Sequence, residues 1–419
     1  MKALKISIVT VVLLSIMLVT PQPSGATEAE GNDYPIIMVH GLGGWGADEA
    51  LGIKYWGGFK DLVAYLNSQG HQTLAATVSP FSSNYDRSVE LYHYIKGGRV
   101  DYGAAHAEEH GHSRYGRTYT GIYPEWDENN PVHMLGHSMG GLTIRGVTDL
   151  LRDGNEAERA YHQAHPEAEA MSPLFAGGRD WVFSNTSIAT PHNGSQYADD
   201  ESRGAALMKD LVLELAKITG TNPDSLVYDF KFDHWGLKRE RGETFTSYMN
   251  RVMASDIWES EDISVTDLST PGAQDNNTWM DTFPDVYYFS HTALSTYKSL
   301  LTGRHLPNAL TIPIFIQPSI FMGKFTRTNP AEGPIIDQSW WPNDGIVSVV
   351  SSKHPFNHPV VSYTDGQTPQ PGVWNSHPVM NNWDHMDFMG ISLSSYATSY
   401  NIQPFYLKTA ETLHSLPAR

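Results

Sequence analysis

Apolar positions in this chain fall into short continuous runs that alternate with stretches of helical spacing. Pro35, Ile36, Ile37, Met38 and Val39 form one run, which stops at His40-Gly41-Leu42-Gly43-Gly44. A run without polar alternation predicts a strand buried on both faces, here ending in a glycine-rich loop. Val132, His133, Met134 and Leu135 repeat the pattern, and 181–189 and 286–289 are β-branched or aromatic runs of strand length. Leu62, Val63 and Leu66 share a helical face that stops at Gly70, and Leu142, Val147, Leu150 and Leu151 share another. Alternating strands and helices predict an α/β fold whose mostly parallel central sheet is flanked by helices. Residues 79–130 and 192–290 read as insertions on one domain spanning 27–419.

The composition narrows the function. Among 419 residues, 46 are acidic and 28 basic, a formal net charge of −18. That balance argues against nucleic acid as a partner, which calls for a basic face. Cysteine is absent, which excludes disulfides, thiol catalysis and cysteine-held metals. Any metal must therefore sit on His, Asp, Glu or carbonyl oxygen. Lys2 and Lys5 precede an apolar stretch at 6–19 and small residues up to Ala26. This is the layout of a signal peptide over 1–26 and predicts export to the extracellular medium. No later segment is apolar enough for stable membrane insertion.

Gly136-His137-Ser138-Met139-Gly140 fits G-x-S-x-G, with a predicted strand before it and a helix after it. A serine at so tight a turn has its hydroxyl exposed. The Met139 amide at the helix start is then placed to stabilise an oxyanion, and the Leu42 amide of the earlier glycine-rich loop is the second candidate donor. Gly111-His112-Ser113-Arg114 imitates the motif, but Tyr115 occupies its fifth position and no strand precedes it. A hydrolase with this elbow carries its acid and its histidine downstream. His291, His305, His354, His358, His377 and His385 all qualify, and spacing alone does not choose among them. Asp344 sits at a turn before the strand-like 346–350, and His385 in an aromatic-flanked turn. Both are plausible loop positions.

His106, His110 and His112 lie within seven residues, with Asp86 upstream in a polar turn. Mixed imidazole and carboxylate sets suit zinc, although histidines four apart beside Glu108 and Glu109 also describe a solvated helical face.

Together these residues resemble the secreted true lipases of bacilli, the zinc-containing thermostable group, and their staphylococcal relatives. The matching segments include Lys54-Tyr55-Trp56-Gly57-Gly58, Ser82-Ser83-Asn84-Tyr85-Asp86-Arg87, Val100-Asp101-Tyr102-Gly103, Ala189-Thr190-Pro191-His192 and Asn343-Asp344-Gly345. The resemblance implies an α/β-hydrolase fold with inserted zinc-binding segments and a helical lid. It implies Ser138 as nucleophile, His385 as general base, Asp344 as the orienting acid, and the Leu42 and Met139 amides as the oxyanion hole. The elbow departs from the bacillary pattern of alanine at 136 and glutamine at 139, and looks staphylococcal.

The resemblance also carries over Asp86, His106, His112 and Asp262 as ligands of a structural zinc, and leaves His110 out. A structural calcium maps to Asp387 and Ser392 at carboxylate positions and to the carbonyls of Leu310 and Leu393. Ser392 has lost the charge, so calcium binding is expected to be weak. The amphipathic stretch 203–219 falls where these lipases carry their lid, although its spacing equally fits a core helix. The implied function is a secreted triacylglycerol lipase, a monomer acting on acylglycerol at an oil–water interface without an organic cofactor. The alternative is a secreted carboxylesterase or polyester depolymerase on the same fold. A catalytically dead binding module would leave the intact elbow unexplained, and so would a zinc-buffering protein.

Overall fold

Residues 36–39 extend because every side chain of this run has an apolar surface to meet, whichever face it points to. In the computed structural model, which describes residues 31–47, 49, 52–200, 203, 206, 210, 228–391 and 402–419, they form β1 (Ile36–Val39). Ile36 and Met38 pack into a core on one face, while Ile37 and Val39 pack into a second core on the other. The chain continues through α1 (Leu62–Ser68), β2 (Thr73–Ala76), α2 (Asn84–Lys96), β3 (Gly98–Asp101), α3 (Ala104–His110) and β4 (Tyr115–Tyr119). It then enters β5 (Val132–His137), α4 (Met139–Arg152), α5 (Glu156–Ala164), β6 (Val182–Ile188) and β7 (Tyr287–His291). After β7 come β8 (Ala293–Leu294), β9 (Thr296–Lys298), β10 (His305–Pro307), β11 (Val360–Ser362) and β12 (Trp374–Ser376).

Seven strands form one sheet in the order β11-β12-β7-β6-β5-β1-β2, and every pairing in it is parallel. Strand order reverses at β1, because β2 lies on one side of it and β5 on the other. In an open parallel sheet, that reversal opens a crevice at the carboxyl ends of the strands. The loop after β1 and the turn after β5 both emerge there. The α2 and α4 side chains Val89, Leu91, Ile144 and Val147 fill one core; α1 and the Ile402–His414 helix cover the opposite face.

Two local readings are corrected. The strand-like 346–350 is no strand: the chain turns there and enters a short helix, Val349–Lys353. The Asp344 carboxylate draws in the amides of Ile346 and Val347 at 3.1 and 2.8 Å, so those donors are lost to any ladder. Asp86 lies not in a polar turn but in the first turn of α2, fully buried. The export segment over 1–26 lies outside the described residues. So do Ser392, Leu393 and, apart from Arg203, Ala206 and Asp210, the expected lid helix.

Candidate active site and metal centre

Ser138 ends β5 and caps α4 with φ 55° and ψ −130°, a conformation that a side-chain-bearing residue rarely adopts. The turn closes because two glycines allow it. A Cβ on Gly136 would overlap the Gly140 backbone, and one on Gly140 would overlap the Val39 carbonyl. The loop after β1 presses on the serine from the other side, where a Cβ on Gly41 would lie 2.6 Å from Ser138 Cβ. In that loop the amides of Gly41, Gly43 and Gly44 donate to Tyr55 Oη, the Pro80 carbonyl and the Gly41 carbonyl. The Leu42 amide has no acceptor among the described residues. Met139 is the first residue of α4, so its amide has no carbonyl within the helix to bond.

Of the six downstream histidines, the fold brings His385 to this end of the sheet beside an acid. Its Nδ1 donates to Asp344 Oδ2 at 2.8 Å, and its backbone N–H donates to the Asp344 carbonyl at 2.9 Å. Donation from Nδ1 leaves Nε2 as the basic nitrogen. The other Asp344 oxygen is occupied by the two amides named above, so both carboxylate oxygens are engaged. Both side chains are buried. His291 and His377 instead stack on each other with ring centroids 4.0 Å apart, and His358 bonds Thr282.

Three residues not singled out from the sequence lock this arrangement. His137 Nε2–H donates to the His385 carbonyl at 3.0 Å, which makes Nδ1 the acceptor. Tyr55 Oη–H donates to that nitrogen at 2.7 Å and accepts the Gly41 N–H at 2.8 Å. Burial, with the neighbouring His385, holds the His137 imidazole pKa well below its usual value. Arg87, fully buried on α2, donates to the carbonyls of His40 and Ser79 at 2.6 and 2.5 Å and to Thr143 Oγ1 at 2.9 Å. It thereby braces the loop after β1 against α4. In the sequence His137 is only a variable position of the elbow, and Tyr55 and Arg87 are only members of segments that carry the resemblance.

A second polar cluster lies away from the elbow. Asp86, His106, His112 and Asp262 each present one ligand atom, and these atoms all lie within 4.8 Å of one another. The N···O separations are 3.3 Å for His106–Asp86, 3.3 Å for His106–Asp262 and 3.4 Å for His112–Asp262. A tetrahedron built on bonds of about 2.05 Å has edges of roughly 3.3 Å. Asp86 Oδ1, His106 Nε2, His112 Nε2 and Asp262 Oδ2 are all buried without a hydrogen-bond partner. Four converging orphans of this kind fit a cation.

The surroundings orient the set. His234 Nε2–H donates to the outer Asp86 oxygen at 2.8 Å, and His112 Nδ1–H donates to the Ser113 carbonyl at 3.0 Å. Glu158 of α5 accepts the Ala104 and His106 amides at 2.7 and 2.8 Å, capping α3 so that His106 faces inward. Burial alone would lower the His106 pKa; the Asp262 and Asp86 carboxylates converging on its ring instead raise it to about 10. The His110 ring lies tilted against that of His106, with centroids 4.5 Å apart, but is outside the set.

Leu310 and Asp387 line one cavity of about 290 Å³ beside the His385 loop, together with Asp384 and Asn308. Both Asp384 oxygens already accept amides, those of Met386, Asp387 and Ile312. Burial, then the Asp387 charge, pushes the Asp384 carboxyl upward. A second acidic group, Asp149, Asp153 and Asp281, has two exposed members.

The family described as "Lipase-like, C-terminal domain" matches residues 32–416. A lipase of Staphylococcus epidermidis is 42% identical over 387 residues, 91% of this chain and 54% of that protein. The chain thus spans about half the length of the curated relatives it matches. Among solved structures, EstA from Clostridium botulinum superposes with a TM-score of 0.86 at 43% identity, covering 94% of this chain and 90% of that one. Lipase 1 from Pelosinus fermentans gives 0.83 at 45% identity, covering 92% and 100%.

Proposed function

The chain belongs to the lipase-like C-terminal domain family, and from that premise we infer that it is a secreted triacylglycerol lipase. The observation that carries this reading is the 2.8 Å bond from His385 Nδ1 to Asp344 Oδ2, at the same sheet end as the strained Ser138 turn. In the reaction, His385 Nε2 takes the Ser138 proton as Oγ attacks the ester carbonyl carbon. The Leu42 and Met139 amides receive the charge that develops on the carbonyl oxygen. Collapse breaks the bond to the glyceride oxygen, which leaves as an alcohol carrying the proton from His385. Water, deprotonated by the same nitrogen, then releases the fatty acid from Ser138. Asp344 holds the ring in the tautomer that both halves need.

The four-residue cluster would hold zinc. All four positions are filled by protein side chains, which supports a structural ion that crosslinks α2, the α3 end and the Asp262 segment. The cavity at Leu310 and Asp387 supports weak calcium binding; Ser392 and Leu393, the further ligands the resemblance implies, lie outside the described residues. Export rests on the 1–26 pattern. Among the described residues, no helix is long and apolar enough to cross a membrane.

Ser138→Ala should lower ester hydrolysis by roughly 10⁵-fold or more while folding stays normal, and a serine-directed phosphonate should label the parent at Ser138 alone. Substantial turnover by Ser138→Ala would sink the assignment. Rates on emulsified triglyceride against soluble short esters separate a lipase from a carboxylesterase or polyester depolymerase.

A further inference from the structure

Two adjacent leucines stand fully in solvent on the catalytic side of the sheet. After β7 the chain forms an antiparallel hairpin of β9 and β10, with Lys298 opposite His305. At its tip Leu300 and Leu301 are 102% and 98% exposed, more than any other large apolar residue described. The tip is built, not loose: Ser299 N–H donates to the Arg304 carbonyl and Gly303 N–H to the Ser299 carbonyl, both at 2.8 Å.

The base of the hairpin is tied to the active-site loops. Ser295 N–H donates to the Asn343 carbonyl at 3.0 Å, next to Asp344, and His305 N–H donates to the Gly323 carbonyl at 2.9 Å. Gly323 ends the Pro313–Met322 helix, whose Phe315 ring lies 5.9 Å from that of His385. Tyr297, Leu310 and Ile316 are also exposed along this flank. Exposed apolar side chains therefore occur both at Leu310, which lines the cavity beside the His385 loop, and at the leucine pair that the turn after β9 presents.

Lys298 and Arg304 flank the tip, both exposed, and neither forms an ion pair among the described residues. In a chain of net charge −18, this is a local cationic collar around an apolar point. A collar of that kind suits a surface whose interior is hydrocarbon and whose boundary carries carboxylate.

Resting on the lipase reading above, we propose that residues 297–304 anchor the enzyme to the surface of its aggregated ester substrate. Leu300 and Leu301 enter the acyl layer, and Lys298 and Arg304 meet the fatty carboxylates that hydrolysis leaves at the boundary. The hairpin thus holds the Ser138 crevice against the lipid independently of any lid.

The test compares the full chain with Leu300→Ser/Leu301→Ser on phosphatidylcholine vesicles with and without oleic acid. Adsorption should fall about tenfold or more, while hydrolysis of a soluble short-chain ester stays within about twofold of the parent. Leu300→Phe/Leu301→Phe should adsorb at least as well as the parent. Lys298→Glu/Arg304→Glu should weaken adsorption chiefly on the oleate-containing vesicles. Unchanged adsorption by the serine variant overturns the proposal. So does a parent dimer that the serine substitutions split without loss of adsorption, since the leucines would then serve a second copy. A parent that hydrolyses neither soluble nor emulsified esters overturns the lipase reading instead, and the adsorption measurement still reports on the anchor.

Discussion

The Tyr55 hydroxyl donates to His137 Nδ1 across 2.7 Å, although the residues are 82 positions apart. Because Tyr55 also holds the Gly41 amide and His137 also holds the His385 carbonyl, one line of hydrogen bonds joins the loop after β1, the elbow and the histidine loop. In the proposed mechanism these groups set where the reacting groups stand.

Tyr55→Phe keeps the ring and leaves a buried N–H and a buried ring nitrogen unpaired. We expect a stability loss of about 1–3 kcal/mol by chemical denaturation. We also expect kcat to fall about tenfold with little change in KM and none in the shape of the pH profile, as misplacement predicts. A variant with parental kcat would show that the line is structural only.

Removing zinc should loosen three segments without touching the elbow. With free zinc about a thousandfold above its Kd, binding contributes roughly 4 kcal/mol, so chelation should lower Tm by about 5 °C. Activity assayed well below that temperature should largely persist. His112→Ala should abolish bound zinc by metal analysis, and His110→Ala should leave it in place. Protein purified without chelator and free of zinc would refute the site.

Calcium should raise Tm only at millimolar concentrations, about the weak end of calcium sites. Ser392→Asp adds the missing charge and should produce a larger rise that disappears in chelator. Calcium retained by the natural protein through dialysis would mean that another ligand replaces Ser392.

Acid should destabilise the fold through its buried neutral histidines. Burial pulls His40, His133, His137, His192 and His291 well below the ordinary 6.5. The unfolded chain takes up these protons first, so stability is full above about pH 6.5 and falls as pH drops below it, by up to ~1.4 kcal/mol per unit for each histidine. His133 donates to Asn32 Oδ1 and accepts from Ser184 Oγ. His133→Gln should therefore lower the slope of stability against pH by up to one such increment between about pH 6 and 5. An identical slope in parent and variant would contradict this.

Local pattern carried a good deal of this structure. The runs at 36–39 and 132–135 were legible because a strand covered on both faces is largely apolar, whereas 181–189 was legible only from its β-branched and aromatic residues, since Ser184, Asn185 and Ser187 within it are polar. The elbow was legible because Gly136, Ser138 and Gly140 act within one turn. The converging histidine cluster was half legible: spacing grouped three histidines, and only the resemblance set His110 apart from His106 and His112, which the structure brings together with Asp86 and Asp262.

What the chain's path decided is a different kind of quantity. Asp344 and His385 are 41 residues apart, and six histidines offered the same local chemistry. Which one meets the acid depends on where β7, β12 and their loops emerge, and no window of sequence holds that. Ile346 and Val347 have the composition of a strand, yet a neighbouring carboxylate claimed their amides and made a turn. Nothing local marked Tyr55, His137 and Arg87 for their roles, because their hydrogen-bond partners come from distant segments. Hydrophobic periodicity by itself determined which segments are buried. The tertiary structure alone decided which polar atoms those segments bring within 3 Å of one another, because a hydrogen bond depends on ångström-scale placement and burial does not.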